Sequence, residues 1–206
     1  MLIALEGVDG AGKTTQARLL AGSLAQGGLR VLLTREPTLG ATGQRLRAYL
    51  SGGRRHLSPR EEVELFQADR REHVETTIRP ALERGWVVIT DRYYYSTAAY
   101  QGALGLDPGE ILRLNEAFAP RPQVVFLLQV PPDLGIARCV QLRGQPPQVS
   151  EDYAYLERVA AIYESFRGEE IRKLDASLPI MELQARIHNL AWDCLRTRRS
   201  PGMTRK

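Results

Sequence analysis

The sequence predicts an α/β protein with three layers, in which helices flank both faces of a five-stranded parallel sheet. Five short apolar runs alternate along the chain with longer amphipathic stretches, and a glycine-rich segment follows the first run. The runs are continuous rather than alternating in polarity, which is typical of strands buried on both faces of a parallel sheet. A chain of 206 residues is long enough to bury one sizeable core, so we expect a single domain.

The predicted elements follow one another as strand and helix. The strands cover residues 2–5, 30–34, 86–90, 123–130 and 171–174. The helices cover residues 13–26, 58–85, 107–118, 150–166 and 179–195. Ser58 and Glu61 form a predicted capping box at the start of the long second helix, and Pro80 is expected to kink it. Asp107 and Ser150 are the expected N-caps of the two helices that follow.

Composition excludes several classes of protein. The chain is 43% hydrophobic and 25% charged, which is ordinary for a globular protein. No apolar run approaches the ~20 residues of a membrane span, and no export signal is visible, so we expect no membrane partner. The two cysteines form no C-x-x-C pair, which suits a reducing, cytoplasmic compartment.

The domain is expected to cover residues 1–195, followed by a basic tail over residues 196–206. The tail has no apolar periodicity and contains Ser-Pro-Gly, so we expect it to be disordered. It carries part of the net charge of +4 and could contact nucleic acid. A solvated terminus is the favoured interpretation, and no nucleic-acid partner is expected.

The glycine-rich segment matches the phosphate-binding pattern G-x-x-x-x-G-K-[ST] in full, between a predicted strand and a predicted helix. Glycines let the backbone approach phosphate closely, and the loop N–H groups converge on the anion at the positive end of the helix. The lysine places a charge on the β- and γ-phosphates, and the threonine hydroxyl can bind Mg²⁺. The segment therefore predicts a P-loop NTPase fold that binds a nucleoside triphosphate with Mg²⁺. The residues expected to bind this nucleotide are Gly7, Val8, Asp9, Gly10, Ala11, Gly12, Lys13, Thr14 and Thr15.

A second segment, "VVITDRYYYSTAAYQG", places Asp91 and Arg92 at the end of the third predicted strand. Ligands of open parallel sheets lie beyond the carboxyl ends of the strands, so both side chains should reach the same crevice as the P-loop. Asp91 could hold Mg²⁺ and Arg92 could clamp a phosphate. The aromatic and hydroxyl side chains from Tyr93 to Gln101 are expected to form a wall that stacks on, and hydrogen-bonds, a flat ligand.

Five segments together resemble the bacterial thymidylate kinases. "LEGVDGAGKTTQ", "LTREP", "LFQADRREHV", "DRYYYSTAAYQG" and "LDASLPIMEL" occur in the order and spacing of that family, over roughly residues 2–195. The resemblance implies transfer of the γ-phosphoryl group of ATP to dTMP, giving ADP and dTDP for dTTP and DNA synthesis. It also implies a homodimer that packs through helices, for which the 58–85 helix is a candidate surface.

The resemblance further implies roles for single residues. Lys13, Arg92, Asp9 and Arg143 would be catalytic, and Thr14 and Asp91 would bind the metal. Phe66 would stack on thymine, Arg70 would reach a base carbonyl, and Thr97 and Gln101 would read the polar edge of the base. From the residues alone, a core aromatic is the preferred interpretation of Phe66. The full set of residues expected at dTMP is Asp9, Pro37, Phe66, Arg70, Arg92, Thr97, Tyr100 and Gln101.

The sequence departs from the family in the segment implied to be a mobile lid, residues 138–152. Some members carry an arginine in the P-loop where this chain has Gly10, so the lid should supply one here. The family usually continues after Arg-Gly with D-R-x-E, whereas this chain continues "QPPQVS". Arg143 and Arg138 remain as candidates to contact ATP, with Arg143 expected to close over it and Arg138 to lie on the helix surface. The segment after "TREP" also differs, since "TLGATGQRLR" lacks the usual glutamate.

Three alternatives stay open at this point. The chain could phosphorylate another pyrimidine monophosphate, such as UMP or dCMP, although the base-reading segment argues against this. It could be a nucleotide-gated switch with little turnover, which the altered lid favours. It could also be a DNA-associated ATPase that uses the basic tail.

Overall fold

A computed structural model describes residues 1–52, 56–143 and 152–199 of the chain. Its strands are β1 (Leu2–Glu6), β2 (Val31–Arg35), β3 (Val87–Asp91), β4 (Val124–Gln129) and β5 (Ile171–Asp175). They form one parallel sheet of order β2-β3-β1-β4-β5, which confirms the predicted architecture. Every strand end lies within one residue of its predicted position, and β1, β3 and most of β4 are buried because they occupy the centre of the sheet.

Nine α-helices are described within these residue ranges. They are α1 (Lys13–Gln26), α2 (Ala41–Ser51), α3 (Pro59–His73), α4 (Arg79–Glu83), α5 (Tyr94–Gly102), α6 (Pro108–Glu116), α7 (Pro132–Arg143), α8 (Tyr153–Ser165) and α9 (Ile180–Arg199). None of them is both long and apolar enough to cross a bilayer.

The long second predicted helix is present as α3, one π-helical turn (Val74–Ile78) and α4 in direct succession. Both hydrogen bonds of the predicted capping box between Ser58 and Glu61 are formed. The π-helical turn contains Thr76, the residue four positions before Pro80. Because proline has no N–H to donate to that carbonyl, the regular ladder is interrupted there, where the kink was expected.

Two helix ends differ from the expectation. Asp152 is the N-cap of α8 and accepts a hydrogen bond from the Tyr155 N–H at 2.9 Å, whereas the expected cap, Ser150, lies outside the described residues. Helix α9 continues to Arg199, so the boundary expected at residue 195 falls inside a helix. Residues 200–206 of the expected tail lie outside the described part of the chain.

Helices α2 and α5 were not among the predicted elements. The rings of Tyr93, Tyr94 and Tyr95 pack against one another, with centroids 4.7 and 4.8 Å apart, inside the hydrophobic core. These three side chains therefore do not form the ligand-facing wall that was expected of them. In the second half of that segment, Tyr100 contacts the loop after β1 through Asp9, and Thr97 contacts Arg70 on α3.

The sheet order places β1 at the topological switch point, since the chain moves from β1 to one side to form β2 and β3 and to the other side to form β4 and β5. In open α/β sheets, ligands bind beyond the carboxyl end of the strands at this point. In the register of the sheet, Leu5 lies beside Asp91 on one side and Phe126 on the other. The glycine-rich loop that follows β1 therefore opens onto the end of β3.

Candidate active site

The P-loop wraps around the side chain of its own lysine. Gly7, Gly10 and Gly12 have φ values of 138°, 77° and 87°, which side-chain-bearing residues rarely adopt. The Lys13 ammonium donates hydrogen bonds to the carbonyl oxygens of Gly7 at 2.9 Å and Val8 at 2.7 Å. The loop therefore holds a positive charge at its centre, at the N-terminus of α1.

At two of these positions, Gly7 and Gly10, there is also no room for any side chain. A β-carbon on Gly7 would lie 2.4 Å from the carbonyl oxygen of Leu128, and one on Gly10 would lie 2.0 Å from that of Gly135. Gly135 in turn has no room for a β-carbon, which would lie 2.6 Å from the Asp9 carbonyl oxygen. The first turn of α7 therefore lies directly against the P-loop.

The charge of Lys13 is sensitive to its surroundings. Burial, together with the nearby positive charge of Arg92, lowers the pKa of the Lys13 amine to about 8. The carboxylates of Asp9 and Asp91 oppose this shift. An incoming polyphosphate would favour the charged form in the same way, so ATP binding and protonation of Lys13 should be coupled.

Thr14 and Asp91 lie together at the end of β3 as the sequence predicted. The Thr14 hydroxyl donates a hydrogen bond of 2.5 Å to the Asp91 carboxylate. A hydroxyl and a carboxylate next to the P-loop are oxygen donors that suit Mg²⁺, which usually takes few protein ligands alongside phosphate and water. The described residues contain no cluster of three or more histidine, cysteine, aspartate or glutamate side chains that could form an all-protein metal site. The pair therefore fits a metal ion that arrives with a nucleotide.

Arg92 bridges the end of β3 to the P-loop. Its guanidinium donates to the Asp9 carboxylate at 2.5 Å and to the Ser96 hydroxyl at 3.0 Å. Its φ of 72° is unusual for a residue with a side chain. Two hydrogen bonds hold this backbone conformation: the Arg92 N–H donates to the Leu5 carbonyl oxygen, and the Thr90 hydroxyl donates to the Arg92 carbonyl oxygen.

Asp9 is the centre of this group of charges. Its carboxylate also accepts a hydrogen bond of 2.9 Å from the Tyr100 hydroxyl, which itself accepts one from the Asp9 N–H at 3.1 Å. Burial alone would raise the pKa of Asp9, but Arg92 and Lys13 outweigh burial and hold that pKa below its usual value. Asp9 is therefore ionised at neutral pH and balances the two cations. The negative charge of Asp9 also holds the pKa of Arg92 above its usual range, against the effect of burial.

A second polar cluster lies between α3 and α5. Arg70 is 1% exposed and donates to the Glu36 carboxylate at 2.9 and 2.6 Å. Its other hydrogen bonds go to Asn115 at 2.5 Å and Thr97 at 3.1 Å. The sequence predicted that Arg70 and Thr97 share a site, and the structure brings the two together, with Glu36 and Asn115 as unforeseen partners.

The remaining residues expected at dTMP surround this cluster. Phe66 is half-buried on α3, and Pro37 follows Glu36 through a cis peptide bond. The Gln101 amide group donates to Glu62 at 2.9 Å, while its buried carbonyl oxygen has no partner among the described residues. A buried acceptor without a donor is costly, so a ligand that supplied a donor here would relieve that cost.

The arginines expected near ATP occupy different positions. Arg138 donates to the Ala176 carbonyl at 2.9 Å and lies 3.5 Å from the Gly10 carbonyl, so it contacts the P-loop rather than merely covering the surface of α7. Arg143 ends α7, and its side chain and residues 144–151 of the expected lid lie outside the described part of the chain.

Several buried residues of the site were missed by sequence reasoning. They include Glu6, Glu36, Asn115 and Tyr163. Glu6 carried a usable signal, since it is a charged residue in a buried strand immediately before the P-loop. Tyr163 carried none, because nothing in the spacing shows that α8 lies behind Arg92.

The sheet order, the wrapped lysine and the Thr14–Asp91 pair at the end of β3 together define a P-loop NTPase. The model of the family "Thymidylate kinase" matches residues 5–187 of the chain. A thymidylate kinase of Xanthomonas campestris pv. campestris (strain B100) is 46% identical over 204 residues, which cover 99% of this chain and 88% of that protein. One of Xanthomonas oryzae pv. oryzae (strain PXO99A) is 50% identical over 177 residues, covering 86% and 76%. One of Desulfotalea psychrophila is 46% identical over 183 residues, covering 89% and 90%. The chain belongs to the thymidylate kinase family.

Proposed function

We propose that the protein transfers the γ-phosphoryl group of ATP to dTMP, giving ADP and dTDP. The observation that carries the proposal is the common edge of the sheet shared by the P-loop and the Arg92–Asp9–Tyr100 group. A donor held at Lys13 and an acceptor phosphate held at Arg92 would meet there. Phosphoryl transfer needs little covalent help, so positioning and positive charge supply most of the catalysis.

The P-loop residues 7–15 would hold the phosphates of ATP through backbone N–H groups and the Lys13 ammonium. The Lys13 hydrogen bonds to Gly7 and Val8 would give way to contacts with the β- and γ-phosphates. Thr14 and Asp91 would hold Mg²⁺, which when bound neutralises charge on the β- and γ-phosphates. Arg138 would support the loop from α7, and Arg143 is proposed to approach ATP from the same helix.

The acceptor side would recognise dTMP in three parts. Arg92 has five N–H groups and offers those not used by Asp9, Ser96 and the Gly7 carbonyl to the phosphate. Asp9 would meet the 3′-hydroxyl or the water shell of the metal, and Tyr100, fixed by its two hydrogen bonds to Asp9, would crowd a ribose 2′-hydroxyl.

The base would lie against Phe66, beside Pro37, with its polar edge toward Arg70, Thr97 and Gln101. The Gln101 carbonyl oxygen, which has no partner in the described part of the chain, is an acceptor, so it suits the N3–H of thymine. Cytosine carries an acceptor at N3, and two acceptors placed together repel. This contact therefore favours dTMP over dCMP.

The test is a coupled assay of ADP release with dTMP, dUMP, UMP and dCMP, each with and without Mg²⁺. We expect dTMP to be the best acceptor, activity to require Mg²⁺, and Lys13→Met to nearly abolish turnover while circular dichroism shows an intact fold. Faster release with UMP or dCMP would overturn the assignment of dTMP as the acceptor. Binding of Mg-ATP with no dTMP-dependent ADP release would establish the nucleotide-gated switch instead.

The assembly and the compartment are also proposed. We infer a homodimer formed through α3 and its neighbours, which is supported by the exposed leucines Leu50 on α2 and Leu114 on α6. Sedimentation at micromolar concentration would test this, and a monomer of 23.1 kDa would contradict it. The chain has only two cysteines and no C-x-x-C pair, which supports a reducing, cytoplasmic location.

A further inference from the structure

We propose that Tyr163 on α8 is a positioning residue for Arg92, which it controls through Ser96 and Glu6. The inference rests on the proposed role of Arg92 as the clamp for the acceptor phosphate. Tyr163 is 3% exposed, does not contact Arg92 through any described hydrogen bond, and lies on a helix that supplies none of the other proposed site residues.

The connection begins at Ser96. The Arg92 guanidinium donates to the Ser96 hydroxyl oxygen at 3.0 Å, and the Ser96 hydroxyl donates to the Glu6 carboxylate at 2.6 Å. Because its one proton is used on Glu6, the Ser96 oxygen is left as an acceptor for Arg92. The donor and acceptor roles in the Arg92–Ser96–Glu6 series of hydrogen bonds therefore depend on Glu6 and on the groups that orient its carboxylate.

Glu6 is fully buried and is oriented by four donors. One carboxylate oxygen accepts the N–H groups of Tyr93 at 2.8 Å and Ser96 at 3.2 Å. The other accepts the hydroxyls of Ser96 at 2.6 Å and Tyr163 at 3.0 Å. Three of these donors come from the segment around Arg92 itself, and only Tyr163 comes from another part of the fold.

The Tyr163 hydroxyl also lies 3.0 Å from the Ser96 oxygen, so it contacts both members of the pair that supports Arg92. Without the Tyr163 hydroxyl, the Ser96 hydroxyl loses a contact that restrains it and can turn away from Arg92. Arg92 has an uncommon backbone conformation, with φ of 72°. Its guanidinium also donates a hydrogen bond to the Asp9 carboxylate at 2.5 Å, which attracts it away from Ser96. Loss of the Ser96 contact would let the guanidinium turn toward Asp9 and away from the acceptor phosphate.

The experiment compares binding of dTMP and thymidine by titration calorimetry in the wild-type protein and in Tyr163→Phe. Thymidine lacks the phosphate, so its affinity reports the base and sugar contacts alone. We expect Tyr163→Phe to weaken dTMP about three- to tenfold and to leave thymidine unchanged, as loss of one hydrogen bond to a positioning partner would do. A purely structural role would lower both affinities alike.

Tyr95→Phe is the matched control. It removes another buried tyrosine hydroxyl that donates to a carboxylate, Glu170 at 2.8 Å, away from the Glu6 group. We expect similar melting temperatures for the two variants and normal dTMP affinity for Tyr95→Phe. Equal loss of dTMP affinity in both variants would overturn the inference.

Two further variants test the route. Ser96→Ala should weaken dTMP binding by at least about tenfold. Adding Tyr163→Phe to Ser96→Ala should cause little further loss of affinity, because the effects of substitutions within one chain of contacts are not additive. In an Arg92→Lys background, which lacks the guanidinium, Tyr163→Phe should likewise have no effect on dTMP. Additive losses in either background would overturn the route. If the wild-type protein itself binds dTMP no better than thymidine, the proposed function of Arg92 fails first, and the inference fails with it.

Discussion

Lys13 is a cation held by backbone oxygens inside the P-loop, and its protonation should limit activity at high pH. Its pKa of about 8 means that the free enzyme loses this charge as the pH rises through 8. We therefore expect kcat/KM for ATP to be constant below about pH 7 and to fall above pH 8, since that ratio reports the free enzyme. Bound ATP favours the charged amine, so kcat should persist to higher pH.

The measurement is a pH profile of kcat/KM for ATP with dTMP saturating. Lys13→Met should give a low rate that does not change over the same range. A wild-type profile that stays flat to pH 9.5 would show that the amine keeps its proton in the free enzyme.

Phe66 offers the clearest choice between a core side chain and a ligand contact. It is half-buried and does not belong to the hydrophobic core, whereas Phe126 on β4 is fully buried within it. We expect Phe66→Ala to weaken dTMP binding by about 1–3 kcal/mol, the range for stacking of a base on an aromatic ring. Phe126→Ala should instead lower the free energy of unfolding by about 3–5 kcal/mol. Calorimetric titration and thermal melting distinguish the two, and a reversed pattern would place Phe66 in the core.

Single residues were predictable where one local pattern defines the chemistry. The spacing of Gly7, Gly12 and Lys13 was enough to predict the P-loop, because its contacts are formed within one segment. Two partners of Arg70, Glu36 and Asn115, were not predictable, because the first lies in the loop after β2 and the second on α6. Only tertiary packing brings those side chains together.

Helix α7 is packed against the P-loop through a contact between two glycines, and this contact should be intolerant of any added atom. A β-carbon on Gly135 would lie 2.6 Å from the Asp9 carbonyl oxygen. We expect Gly135→Ala to lower stability by about 1–3 kcal/mol, as overpacking does, and to lower kcat/KM, because Asp9 must shift.

Gly22 on α1 is the matched control for this prediction. A β-carbon there would meet no atom within 4 Å, so Gly22→Ala should raise stability by about 0.5–1 kcal/mol with unchanged kinetics. Thermal melting and steady-state assays measure both effects. If Gly135→Ala were as well tolerated as Gly22→Ala, α7 would not pack against the P-loop at Gly135 in the way described above.

Elements with strong end signals were predicted well, and those shaped by packing were not. Helix α3 begins where Ser58 and Glu61 indicate, because the capping box is a local interaction. Helix α5 was missed because its tyrosines favour strands by intrinsic propensity, and their burial in the hydrophobic core overrides that preference.

The C-terminal helix α9 packs against α1 and contributes to the stability of the fold. Leu183, Ile187 and Ala191 are buried on one face, and Gln16 on α1 donates to the Ile180 carbonyl at 3.0 Å. We expect Ile187→Ala to lower the free energy of unfolding by about 2–5 kcal/mol, as for a fully buried isoleucine, with KM for both substrates unchanged. Met181→Ala, at a side chain 68% exposed, should change stability by less than about 0.5 kcal/mol. Urea unfolding with both variants is the test, and equal midpoints would contradict this account of α9.

The order of the whole sheet could not be read from the apolar runs, which predict five strands but not which are neighbours. The motifs supplied part of the answer, because the P-loop and the Asp91-Arg92 pair must lie at one edge. The partly exposed β2 and β5 are the outer strands. The sequence of β2, VLLTR, is nearly as apolar as that of the central strand β1, LIALE, whereas β5, IRKLD, carries three charged residues. The edge position therefore leaves a trace in the sequence of β5 but not in that of β2.

The close approach of Gly10 to Gly135 constrains the evolutionary history open to this chain. An arginine at position 10 would bring its own positive charge to the phosphates, but its β-carbon would lie 2.0 Å from the Gly135 carbonyl oxygen. A single substitution at position 10 is therefore blocked, whatever its benefit for catalysis. Descendants could acquire that arginine only after the start of α7 had moved, so the two sites should change in a fixed historical order, helix first and loop second.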